Sequence, residues 1–181
     1  MTTKTKEFLF NFLDNEVAVV VFEQWIYKDK ELEIIEPTLY QDLILFDFTD
    51  KDAKQGIKDK LNPYLDTKEF NVWRTKRLLN KIIDDKIDIV LGTRKLRELY
   101  FDTGENFIPP TLGIGFDSEL DDLPTPDEYH MWNENALRER LKKADGYKDR
   151  IKKSAEEFLK TLKSWRDATA TNNSYKTYAV L

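Results

Sequence analysis

The sequence contains no cysteine, which excludes disulfides, thiolate catalysis, Cys-ligated zinc and iron–sulfur clusters. It has a single histidine, His130, so a multi-histidine metal site cannot be built within one chain. Long hydrophobic runs are also missing. The longest, "VAVVVF", is far too short to cross a bilayer. Lys4 and Lys6 precede an apolar "FLFNFL", but Asn11 splits that run, Asp14 and Glu16 end it, and no small-residue cleavage site follows. A secretory signal is therefore not expected, and the reading is a soluble, cytoplasmic protein. No G-x-x-x-x-G-K loop occurs, and no serine stands in a nucleophile-elbow context. The last absence is of charge of one sign. No Lys or Arg occurs between Arg97 and Arg138.

What is present is a globular composition with a heavily charged surface: 40% hydrophobic and 35% charged residues in 181 positions. That length suits one domain with a substantial core. The formal net charge of -5 conceals an uneven distribution. Residues 1–66 carry net -6, residues 67–101 net +4, residues 102–134 net -9, and residues 135–181 net +6. One explanation is internal complementarity, with the acidic segment lying against the two basic ones. The other is a local negative field that steers a basic partner.

Most of the chain reads as helix. "KEFLFNFL" forms a compact apolar turn of helix. In "DNEVAVVVFEQWIYKDKELE" Val19, Phe22, Trp25 and Ile26 recur at helical spacing, with Asp14 or Asn15 as the cap. Pro37 breaks the chain before the helical "TLYQDLILFDF". Asp50 is placed to cap a helix in which Ala53, Ile57, Leu61 and Tyr64 line one face. Thr67 is placed to cap "KEFNVWRTKRLLNKIID", whose apolar face is Phe70, Trp73, Leu78, Leu79, Ile82 and Ile83. "DIVLGTRKLRELYF" is a further helix, weakened at Gly92. Residues 102–132, rich in Gly and Pro, are expected to form a long acidic loop. From Leu137 through Leu141, Ala144, Lys148, Ile151, Ala155, Phe158 and Leu162 to Trp165, apolar residues step by four and three, with Lys148 the only polar member. That stripe predicts a long helix over 133–166, or a helix pair divided at Gly146. It would pack in the protein's own core or pair with a second copy. Residues 167–181 form a tail, where "YKTYAVL" alternates like a strand and could pair with 107–116. The expected fold is a single, mainly α, bundle-like domain with a long acidic loop and room for a small two-stranded element.

Four stretches carry enough chemistry to weigh. Asp102-Thr103-Gly104 matches the triplet of aspartic proteases, but it follows a helix rather than β-structure, and a helix-terminating turn explains it better. Asp117, Glu119, Asp121 and Glu128 fall at positions 1, 3, 5 and 12 of a calcium-loop template. Position 6 is Asp122 where that loop needs glycine, and Pro124 and Pro126 stiffen the segment. Gly113-Ile114-Gly115 lacks the strand and helix of a dinucleotide-binding turn. Arg74, Lys76, Arg77 and Lys81, and the bases from Arg138 to Lys153, could contact phosphates, but an isoelectric point near 5.1 argues against a nucleic-acid partner. No catalytic constellation emerges, and neither a cofactor nor a metal is expected.

Two stretches, "FLDNEVAVVVFEQWIYKDKELE" and "YLDTKEFNVWRTKRLLNKIID", resemble small acidic immunity proteins of bacterial interbacterial-toxin loci over residues 8–85. The resemblance implies a non-enzymatic inhibitor that binds one cognate toxin and blocks it. The acidic loop would then enter a basic, nuclease-like cleft. Asp117, Glu119, Asp121, Asp122, Asp127 and Glu128 would supply charge, and Tyr129 and Trp132 would supply aromatic anchors. The alternative is an adaptor that self-associates through the heptad stripe.

Overall fold

Apolar residues recur at three- and four-residue spacing through most of the chain, and helices form where they do. A computed structural model describes the backbone of residues 1–104 and 107–173, with side chains as far as Leu162. The strand expected at 175–181 and the side chain of Trp165 lie outside the described residues. Among the described residues the chain is mainly α-helical, with no strand and no helix long and apolar enough to cross a membrane. It divides into two compact units, residues 1–74 and 75–181. The division falls inside a helix, where no linker composition marks it.

The first unit contains α1 (Thr3–Leu13), α2 (Val19–Ile26), α3 (Glu31–Ile35), α4 (Pro37–Ile44) and α5 (Ala53–Leu61), followed by the start of α6 (Thr67–Ile83). Its core holds Leu9, Phe12, Phe22, Ile26, Leu32, Leu39, Leu43, Ile57 and Leu61, all fully buried. Phe12 and Phe22 sit 4.3 Å apart at the centre, as do Phe8 and Trp25. The caps differ from expectation. Asp14 ends α1 instead of starting a helix, and Asn15 turns the chain with a φ of 65°. Asn tolerates that left-handed region better than most residues. Asp66, not Thr67, caps α6 by accepting from the Lys68 and Glu69 amides at 2.7 and 3.0 Å. Pro37 starts α4 rather than merely interrupting the chain, because its missing N–H has no partner in a first turn.

The second unit begins within α6 and continues with α7 (Ile89–Thr103), which Asp88 caps through the Val90 and Leu91 amides. Gly92 strengthens the packing of α7. A Cβ there would stand 2.9 Å from Ile82 Cγ1, so the glycine lets α7 approach α6.

The segment expected to be a loop is instead built of short helical turns. A π-type turn, Thr111–Gly115, runs into α8 (Phe116–Glu119), and a 3-10 turn spans Pro126–Met131. Pro109, Pro110 and Pro126 precede or open these turns, where proline costs no hydrogen bond. Ile108, Leu112, Phe116, Leu120 and Leu123 are buried, so the segment belongs to the core of its unit. The strand allowed at 107–116 is thus replaced by helix.

The last helix, α9 (Glu134–Asn173), runs through Gly146 without a break. Among the described residues, much of its stripe is covered by its own unit. Ala144, Ile151, Ala155, Phe158 and Leu162 are buried, and α9 packs against α7 and the 111–115 turn. The buried members of the stripe therefore belong to the core of its own unit.

Candidate functional site

Carboxylates placed among cations on neighbouring helices find partners before they meet solvent ligands. That is the fate of most of the acidic segment. Asp117, on α8 and buried, lies 3.5 Å from Arg97 of α7. Glu119 lies 3.8 Å from Arg150 of α9. Asp122 meets Arg140 directly and Lys143 at 2.7 Å, both from α9. The Lys143 ammonium is the main cause of an Asp122 carboxyl held below the usual aspartate range. Glu128 accepts from the Thr125 amide at 2.8 Å and hydroxyl at 2.9 Å, closing a capping box on the 126–131 turn. Those two bonds lower its pKa, and Arg94 stands 3.7 Å away. Asp127 is lowered chiefly by the Thr125 hydroxyl.

The two aromatic anchors are used in the same way. The Tyr129 hydroxyl donates to Asp88 at 3.0 Å, tying the 126–131 turn to the cap of α7. Partial burial, followed by the Asp88 charge, pushes the phenol up to about 12. Trp132 sits beneath the Arg140 guanidinium, 5.8 Å from ring centroid to Cζ. Asp121 is exposed and, alone of the eight, has no hydrogen bond or ion pair among the described residues. Seven of the eight residues expected to bind a partner are thus engaged by the chain's own side chains.

The remaining motifs resolve along the same lines. Gly104 ends α7 with a φ of 89°, and Thr103 donates to the Leu99 carbonyl at 2.6 Å, so the Asp-Thr-Gly triplet is a helix terminus. Among the described residues no group of three or more metal-ligating side chains is gathered, and Asp117 of the calcium-loop template is held by Arg97. His130 is exposed. Lys148, the polar member of the stripe, bonds Asp85 at 2.7 Å in the turn after α6, and Lys152 bonds the same carboxylate. A groove of about 620 Å³ runs between 107–112 and one face of α9. Ile108, Leu112, Phe158 and Leu162 line it, and Glu157 is the charged residue among its described lining.

Sequence reasoning missed a second basic-free stretch. Residues 31–50 hold Glu31, Glu33, Glu36, Asp42, Asp47 and Asp50 and no Lys or Arg. It differs from the first stretch in two ways. Counter-charge is sparse: Lys30 meets Glu33 at 2.9 Å and the N-terminal ammonium lies 3.9 Å from Glu31, while Asp47 and Asp50 accept from nearby hydroxyl and backbone groups. The stretch also leaves aliphatic side chains in water. Ile34 is 77% exposed and Leu45 is 85% exposed. The readable signal was Ile34-Ile35 beside acids, together with three consecutive valines opening a helix whose inner face already had Phe22 and Ile26.

The whole chain matches no family model, no curated protein and no solved structure.

Proposed function

We propose that this chain is a non-enzymatic inhibitor of the immunity type, which binds a basic partner protein and blocks it by covering its surface. The supporting observation is the division of charge. Residues 1–74 carry 15 acids and 10 bases, whereas residues 75–181 carry 19 of each. The net -5 therefore belongs to the first unit. The second unit balances its own acidic segment internally through Arg94, Arg97, Arg140, Lys143 and Arg150. Most of the exposed large apolar side chains also belong to the first unit: Val20, Val21, Tyr27, Ile34, Ile35, Leu45 and Tyr64. An acidic surface that retains apolar side chains favours fast encounter with a positive protein and gives the encounter something to bury. The cleft-filling role passes from the 102–132 segment to the first unit.

The test is capture of partners from source cells at low and at high salt, followed by titration of the captured protein's activity with the purified chain. A basic partner whose activity falls stoichiometrically supports the reading. A partner that keeps full activity when saturated, or recovery of this chain alone, would sink it.

A further inference from the structure

From the outward face of α3 and α4, running from Ile34 to Leu45, we infer a docking site for a basic amphipathic helix of a partner protein. This rests on the binding reading above and names the surface and the occupant. Thr38, Gln41, Asp42 and Leu45 fall at i, i+3, i+4 and i+7, and all four are exposed. They form one row about 10 Å long, since a helix rises about 1.5 Å per residue. Ile34 and Ile35 close α3, which meets α4 at Glu36, and both are exposed. The inner face of the same helices is closed by Leu32, Leu39 and Leu43, all fully buried. The outer aliphatics therefore serve no core.

Two arguments select the occupant. The first is charge. Glu33, Glu36 and Asp42 lie in or beside the row, Lys30 is the one cation bonded to any of them among the described residues, and no basic residue occurs from 31 to 50. An apolar segment flanked by Lys or Arg complements that row, whereas an acidic or uncharged one does not. The second is backbone geometry. The first unit has no strand to extend, so an extended peptide would find no ladder of N–H and C=O groups there. Recognition must come from side chains packing on side chains. The exposed Ile34, Ile35 and Leu45 stand among acids on two short helices, so a partner helix with aliphatics on one face and Lys or Arg on its flanks meets them side chain to side chain.

The experiment uses the full chain and three synthetic peptides of ~14 residues, about four helical turns. One is a Leu/Lys peptide with leucine at helical period. The second has the same composition in a permuted order. The third replaces Lys by Glu. Binding is read by fluorescence anisotropy at low salt and at about 0.3 M salt. The periodic Leu/Lys peptide binds, and the other two bind at least about tenfold more weakly. Ile34→Ser combined with Leu45→Ser weakens it by about tenfold or more, because exposed aliphatics can be truncated without disturbing the core. Phe101→Ser combined with Met131→Ser, both exposed in the second unit, leaves it unchanged. Circular dichroism checks that every variant stays helical.

Equal binding of the permuted peptide, or insensitivity to the Ile34/Leu45 pair, overturns the docking face. If the peptides fail while the captured partner is still inhibited, the face falls and the inhibitor reading stands. If the periodic peptide binds as described while the captured partner stays active, the inhibitor reading falls and the face stands.

Discussion

Asp88 shows how one carboxylate can serve two elements. One oxygen caps α7 through two backbone amides, and the other accepts the Tyr129 hydroxyl from a turn 41 residues away in sequence. Asp88→Ala removes a helix cap and strands a partly buried phenol, so a loss of about 1–2 kcal/mol is expected in urea unfolding. Tyr129→Phe should cost less, since the cap survives. It should also bring the two variants together: once Tyr129 is Phe, the further cost of Asp88→Ala should shrink by the coupling energy of the pair. A second residue-scale test is Gly113→Ala. The added methyl would collide with the Tyr100 ring, and a destabilisation of about 1–3 kcal/mol is expected from overpacking.

At the scale of elements, α9 is held in two ways. Ala144, Ile151, Ala155, Phe158 and Leu162 of its apolar stripe are buried in its own unit, so Ile151→Ala should cost about 2–5 kcal/mol and leave the molar mass in light scattering unchanged. Its polar face is held by Lys148 and Lys152 on Asp85 and by Arg140 and Lys143 on Asp122. Hydrogen bonds from Lys148 and then Lys152 lower the Asp85 carboxyl, and the same contact raises Lys148. Both directions matter for pH. The lowered carboxyls stabilise the fold fully above the ordinary aspartate range, and that contribution is lost as pH falls through their depressed folded values. The raised lysine contributes fully below the ordinary lysine range, and its share is lost as pH rises through the folded value. Asp85→Asn should therefore flatten both the acid and the alkaline limbs of a thermal-stability profile. A wild-type-like curve would mean that the contact is not made in solution.

The same elements show what the sequence could and could not reveal. The 3.6-residue period made α5, α6, α7 and α9 legible, and the stepping of Leu137 to Leu162 passed through Gly146 because a lone exposed glycine weakens a helix without ending it. Residues 102–132 look like a loop in sequence because Gly and Pro usually break helices. Their positions at first turns, and the Tyr100 ring that requires Gly113, are visible only in three dimensions. The acidic segment was legible as a charge anomaly. Its partners were not, because Arg140, Lys143 and Arg150 lie across the fold and not next to it in sequence.

On the scale of the whole molecule, two acid-rich stretches have opposite consequences, and paired neutralisation separates them. Asp117→Asn, Glu119→Gln, Asp121→Asn and Asp122→Asn together remove the carboxylates that Arg97, Arg140, Lys143 and Arg150 face. The second unit would then carry unpaired cations, with Arg97 left beside a buried amide. The expected result is a lower melting temperature and little change in the salt dependence of association with the captured partner. Glu33→Gln, Glu36→Gln and Asp42→Asn remove charge from the face of α3 and α4, where among the described residues only Glu33 has a cation bonded to it. Here the melting temperature should hold, because these are surface groups with few partners. The association rate should fall at low salt, and its salt dependence should flatten, since long-range attraction sets the encounter rate and is screened beyond a Debye length of about 10 Å at 0.1 M. Stopped-flow association and thermal unfolding on the same two variants decide the matter. Should the first variant slow association while keeping its stability, the acidic flank of the second unit would be the contact surface after all.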